Sequence, residues 1–412
     1  MNKKLGALAL LGASAVVLAG CAGGSGGTAD EASDEIRVWL VGTDTPQDAR
    51  DYLVETFEED NPGSTLVIEE QTWEGLVDKL TTSLSSSDSP DIVEFGNTQA
   101  PAFTSVGALL DISDIYEDLG GDDLLPGFVE AGSYDGAFYA APLYSGARVV
   151  FADPAFVQAA PASLDAYVAS AKELAAANPG KSGIYFAGQD WYNALPFIWE
   201  NGGEIAVQDG DEWDAQLSSA ESVKGLMQVQ ELMTTASLAP KDGDNAEPWT
   251  PYCEGASIQF SAPNWALGLA SECETPAPPA APFVYALPGM TGGPAQVFAG
   301  GSNIGISAKS ANPELAKSAL EIILSDEFQT IYGENGLIPA KKSLASTLGD
   351  TPEAQAFTAA ASNAKLTPAS PKWADVEAAR VLEDFFVKIA QGGDVAALAA
   401  EVDTKIEDIL NG

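Results

Sequence analysis

An alternation of two hydrophobic periods constrains this chain most. Strand composition, β-branched and aromatic, falls at 36–41, 65–70 and 91–95, and helical spacing at 47–60 and 74–84. In the first of these helices Ala49, Leu53, Val54 and Phe57 share a face, and Asn61-Pro62-Gly63 ends it. Strand and helix in turn make a mostly parallel sheet covered on both faces. After Pro142 the pattern starts again, with strands expected at 148–151, 183–186, 256–260 and 300–306. Helices are expected at 163–177, 194–201, 220–236, 313–324, 353–361, 374–390 and 395–410. The fold class is α/β, with two such sheets.

Composition then removes functions. The 412 residues hold 60 Asp and Glu against 19 Lys and Arg, with no His, for a net charge of −41. A phosphate backbone needs a basic face, so nucleic acid is not an expected partner. Without His there is no Ser-His-Asp or Cys-His nucleophile pair and no His-ligated zinc; no metal or other cofactor is expected. Strong like charge can signal disorder, but 46% hydrophobic residues are enough for sizeable cores.

The first twenty residues carry Lys3 and Lys4, an apolar stretch at 5–17 and then small residues. That stretch is too short for a bilayer core of about 30 Å, so 1–20 reads as a cleaved export signal. Leu18-Ala19-Gly20-Cys21 resembles the bacterial lipobox, in which the Cys takes a diacylglycerol and becomes the new N-terminus. Residues 21–34, rich in Gly, Ser, Thr, Ala and acids, form a flexible tether. The expected location is the extracellular face of a cell membrane, anchored through lipid on Cys21. In that oxidising setting Cys253 and Cys273 suit a disulfide closing a local loop, with free thiols as the alternative.

In open α/β sheets ligands bind beyond the carboxyl ends of the strands. Those positions are 42–44, 71–74, 96–99, 144–148, 188–192, 262–265 and 300–303, rich in aromatic and neutral polar side chains. Rings that stack on C–H faces, beside Asn, Gln, Ser and Asp that bond hydroxyls, suit a sugar.

Several segments resemble, in order, the bacterial extracellular solute-binding proteins that include maltose-binding protein. They are Arg37-Val38-Trp39, Ser89-Pro90-Asp91-Ile92-Val93, the run from Tyr134 to Pro142, Leu195 to Glu204, Phe298 to Ile306, Gly336 to Ser343 and Pro371-Lys372-Trp373. The resemblance implies a two-lobe periplasmic-binding-protein-like fold joined by a multi-crossing hinge, closing on a ligand and delivering it to the permease of an ABC importer. The lobes would be 35–142 plus 299–344 and 143–298 plus 345–412. It implies stacking by Trp191 or Tyr192, Trp265 and Trp373. Polar contacts would come from Thr43, Asp44, Trp73, Glu74, Asn97 and Gln99, with Ser145, Gly301, Ser302 and Asn303 at the crossings. It implies a monomer without enzymatic activity.

Thr43-Asp44 stands where a maltodextrin binder carries a charged pair, which puts maltose itself in doubt. Arg148 suits either a buried ion pair or a ligand contact. Glycerol phosphate as the ligand and a carbohydrate-active enzyme are the alternatives; a glycosidase would need two carboxylates about 5–9.5 Å apart.

Overall fold

The computed structural model describes residues 35–412 other than 74, 211, 245 and 246. The expected signal peptide (1–20), Cys21, the tether (21–34) and Glu74 lie outside the described residues. β1 (Glu35–Val41) runs parallel to β2 (Thr65–Gln71), from Glu35 opposite Thr65 to Val41 opposite Gln71. It also pairs in parallel with β3 (Ile92–Gly96). Side chains alternate across a strand, and here both faces are covered. Ile36, Val38 and Leu40 join a core with Leu53 and Phe57 of the helix Gln47–Asp60, while Trp39 and Val41 join another with Leu80 and Leu84 of the helix Leu76–Ser85.

The chain leaves this sheet along a 13-residue crossing strand, Ala140–Ala152, and comes back along a return strand, Val297–Ile306. The two pair antiparallel, from Ala299 opposite Ala147 to Gly305 opposite Ala140, and the return strand also pairs antiparallel with β3. The far half of the crossing strand belongs to a second sheet, where it pairs antiparallel with Gln259–Pro263 and Phe283–Tyr285. One strand is thus shared by two sheets.

Four expectations need correction. The strand read at 148–151 begins at Ala140, because Pro142 and Gly146 disguise a segment that pairs on both sides. Mostly parallel pairing holds for β1–β3, but the crossing and return strands are antiparallel, since the chain runs out on one and back on the other. At 183–186 there are only isolated bridges, such as Tyr185 with Phe260. The helix read at 374–390 is also two, Trp373–Ala378 and Val381–Ala390, broken at Arg380 with φ 54°.

The largest core belongs to the second sheet and gathers Phe151, Phe260, Trp199, Trp373 and Phe386. Phe151 and Phe260 sit directly opposite in the ladder and stack at 4.8 Å. No helix among the described residues is long and apolar enough to cross a membrane. Cys253 and Cys273 are disulfide-bonded and tie the helix Trp249–Cys253 to the segment after the helix Ala266–Ser271. Replacing both by Ser should cost about 3 kcal/mol, the chain-entropy value for a loop of this length. Urea unfolding at pH 7 measures it, and an unchanged midpoint would mean the bridge adds nothing to the fold.

Candidate functional site

β1, β2 and β3 run the same way, so their carboxyl ends share one edge of the sheet. Gly42, with φ +57°, turns the chain out of β1, and Arg50 holds the loop by donating from Nη2 to the Gly42 carbonyl (2.6 Å) and from Nε to that of Thr45 (3.0 Å). Asp44 is thereby presented to solvent. Its Oδ2 accepts from Trp73 Nε1 at 3.1 Å and from the Tyr144 hydroxyl at 2.9 Å. Asp44 therefore joins the β2 loop to the crossing strand.

These groups open on a cavity of about 610 Å3, lined by Thr43, Asp44, Pro46, Gln47, Asp48, Tyr144, Trp265, Asn335 and Leu337. Trp265 stands at the start of the helix Ala266–Ser271, 47% exposed, with Trp249 packed edge-on at 5.6 Å. The loop before it is tied across the molecule by Asn264, whose Nδ2 donates to the Gly336 carbonyl. Trp73 is 42% exposed. The Trp265 ring is thus available on the cavity that Asp44 borders, while Trp73, outside the lining, holds the carboxylate. Neither Lys nor Arg lines this cavity.

Beneath it lies a carboxyl that the strand reading passed over. Glu94 is fully buried in β3 and its Oε2 accepts from the Val41 amide at 2.8 Å. Burial pushes it up to about 7, against the opposing pull of the nearby Ser302 hydroxyl and the Val41 amide. A charged residue inside the apolar run Ile92-Val93-Glu94-Phe95 was the available signal. Tyr144 lay within a strand-end segment, but no motif distinguished it from its neighbours.

The structure brings together Thr43, Asp44, Trp73 and Trp265, while Asn97, Ser145, Ser302 and Asn303 are buried and Gln99 is half-buried. Asn97 donates to the Ala299 carbonyl at 3.0 Å, Gln99 caps the Gly96 amide at 3.3 Å, and Ser145 donates to the Gly300 carbonyl at 3.3 Å. Ser302 and Asn303 are fully buried, and Asn303 Nδ2 donates to the Phe128 carbonyl at 2.9 Å. Gly301 has a backbone role: with φ +134°, a Cβ there would stand 2.3 Å from the Tyr144 carbonyl oxygen.

The stacking expected of Trp191 and Trp373 is likewise corrected. They are 2% and 0% exposed and meet edge-on at 6.4 Å, because each fills the second core. Tyr192 packs between Trp191 (3.8 Å) and Phe298 (4.6 Å). The Arg148 guanidinium lies 5.2 Å over the Tyr192 ring and donates to Asn193 Oδ1 at 3.2 Å, while Asn193 Nδ2 donates to Asp190 at 2.6 Å. Arg148 therefore holds this aromatic wall, reaching its carboxylate through Asn193.

A second cavity, of about 470 Å3, lies among Thr98, Glu130, Trp199, Glu204, Trp213 and Lys365 and shares no lining residue with the first. The Trp199 face there is taken by Lys365 Nζ at 5.3 Å. No group of three His, Cys, Asp or Glu suited to a metal occurs among the described residues. Trp373→Ala should cost about 3–5 kcal/mol as a core deletion, whereas Trp265→Ala should change stability by no more than about 0.5 kcal/mol. Thermal unfolding of both variants checks this, and equal losses would mean Trp265 is also a packing residue.

Residues 52–364 match the family described as bacterial extracellular solute-binding protein. The chain is 31% identical over 420 residues to the diacetylchitobiose binding protein DasA of Streptomyces coelicolor, covering 98% of this chain and 97% of that one. Its fold is like that of the sugar-binding protein MalE from Xanthomonas citri, with TM-score 0.80, 19% identity and coverage of 92% and 97% of the two chains. It is also like the GacH receptor of Streptomyces glaucescens, with TM-score 0.76, 17% identity and coverage of 92% and 98%. Both likenesses are to two-lobe α/β binding proteins. On the length matched and the identity to DasA, this chain belongs to the bacterial extracellular solute-binding protein family.

Proposed function

We propose that this chain is the substrate-binding lipoprotein of an ABC importer and takes a sugar, as a short oligosaccharide, between two lobes. The lobes are 35–142 plus 299–344 and 143–298 plus 345–412, and the lipid on Cys21 holds a monomeric body at the outer face of the membrane. One observation carries the reading: the Trp265 ring and the Asp44 carboxylate, set by Trp73 and Tyr144, border the same cavity. Its volume of about 610 Å3 falls within the usual range for small-molecule sites, about 300–1,000 Å3.

A ring face favours the apolar side of a pyranose, and a carboxylate favours its hydroxyls. The relative DasA is named for a disaccharide. Glycerol phosphate fits less well, because no cation lines the cavity and Arg148 is engaged with Tyr192 and Asn193. The functional step is lobe closure selected by the ligand, followed by delivery to the permease, with no covalent chemistry.

Residues 34–412 form one compact unit, so protein produced from residue 22 onward keeps all of it. Calorimetric titration of that protein with N,N'-diacetylchitobiose, maltotetraose, glycerol phosphate and a tripeptide tests the reading. One of the two sugars should bind, and Asp44→Ala and Trp265→Ala should each weaken it by about tenfold or more. Binding of only the phosphate or the peptide would overturn the sugar reading.

A further inference from the structure

Away from the cavity, one buried carboxyl reaches from the second core to the first sheet. Glu377 lies on the helix Trp373–Ala378, and its Oε1 accepts from Trp373 Nε1 at 3.0 Å. Its Oε2 accepts from Thr98 Oγ1 at 3.2 Å, on the turn Asn97–Gln99 that follows β3. Thr98 stands 279 residues earlier in the chain. Both donors are neutral, and no cation is among the groups acting on the carboxyl.

We propose that Glu377 is a latch between the lobes, a positioning residue whose carboxyl joins Thr98 on closure while holding the Trp373 indole in place. The proposal rests on the two-lobe hinge described above. When the lobes part, Thr98 withdraws and water reaches Glu377. When they meet, the carboxyl is desolvated between a hydroxyl and an indole N–H. Trp373 packs against Trp191, and Trp191 against Tyr192, so the latch also fixes the aromatic wall held by Arg148.

A desolvated carboxyl with no counter-cation favours its protonated form, and burial with repulsion from Glu383 raises Glu377 to about 7. Tyr192 feels the same carboxyl from the wall. The neighbouring helix Ala100–Thr104 carries no titratable side chain, while on Val395–Asn411 Glu401 is paired with Lys388 and Lys405 and Asp403 with the Leu217 and Ser218 amides.

In an open, solvated state Glu377 returns toward the ordinary value of about 4.3. The closed form therefore binds the proton more tightly. Closure carries no such cost in acid, becomes less favourable as pH rises from about 4.3 to about 7, and stays disfavoured by a constant amount above that.

The test is small-angle X-ray scattering of the protein from residue 22 onward, at pH 5.5 and 8.0 and a fixed salt concentration of about 0.3 M to screen surface charge. Wild type should be compact at the lower pH and expanded at the higher one. Glu377→Gln, which still accepts from Trp373 and donates to Thr98, should be compact at both, which separates its titration from that of Glu94. Thr98→Val, which spares the Trp373 bond, should be expanded at both. A wild type that does not respond to pH, a Thr98→Val protein as compact as wild type at pH 5.5, or a Glu377→Gln protein that still expands would each overturn the latch. Titration of the same samples with N,N'-diacetylchitobiose keeps the two readings apart. Wild-type affinity should fall about tenfold or more between the two pH values, and Glu377→Gln should stay level. Absence of heat in every variant would count against this sugar alone, since the scattering still decides the latch.

Discussion

The ladder between Ala140–Ala152 and Val297–Ile306 is the pairing on which everything else depends. It joins two sheets through one shared strand, and it leaves no room for error where the strands approach. Gly301 must lack a Cβ because the Tyr144 carbonyl stands where that atom would be, and at Gly132 a Cβ would lie 1.9 Å from the Ala140 carbonyl oxygen. Asn303 then ties the return strand to the helix Pro126–Ala131 through the Phe128 carbonyl. With the ladder fixed, Tyr144 reaches Asp44, and the loop after β1 acquires its place beside the cavity. All three cores draw residues from the crossing strand, so the ladder ties the two sheets together.

The charge on the molecule is used unevenly. Several of the few cations are spent on surface ion pairs, such as Arg37 with Glu69 and Lys317 with Asp114, which contribute little to stability individually. The acidic excess covers the surface and favours solubility through self-repulsion. Inside, Glu94 and Glu377 have no cationic partner, and burial raises both. At the cavity itself the charged lining side chains are Asp44 and Asp48, with no Lys or Arg, which suits a neutral ligand rich in hydroxyl and amide donors rather than an anion.

Much of this was legible in the sequence because it depends on local period. The helix at 47–60 appears with the bounds that its apolar spacing and the Asn61-Pro62-Gly63 stop imply, and the alternation gave the α/β class. The crossing strand was half missed, because pairing on both sides overrides the poor strand propensity of Pro142 and Gly146. At the site, Thr43, Asp44, Trp73 and Trp265 follow from the strand-end rule, whereas Trp191 satisfies the same rule and Trp373 the family resemblance, and yet both lie in a core. Sequence cannot say which way a ring points when both environments are apolar. Glu377 left no sequence signal, since its partner Thr98 is adjacent only after the lobes fold.

The proposed role requires the solute to bind in the cavity bordered by Asp44 and Trp265. A crystal structure of the protein with whichever sugar titrates most tightly tests this most directly. A pyranose ring should stack on Trp265 with a hydroxyl on the Asp44 carboxylate. Sugar in the separate cavity between Trp199 and Trp213, with Asp44 and Trp265 untouched, would contradict it.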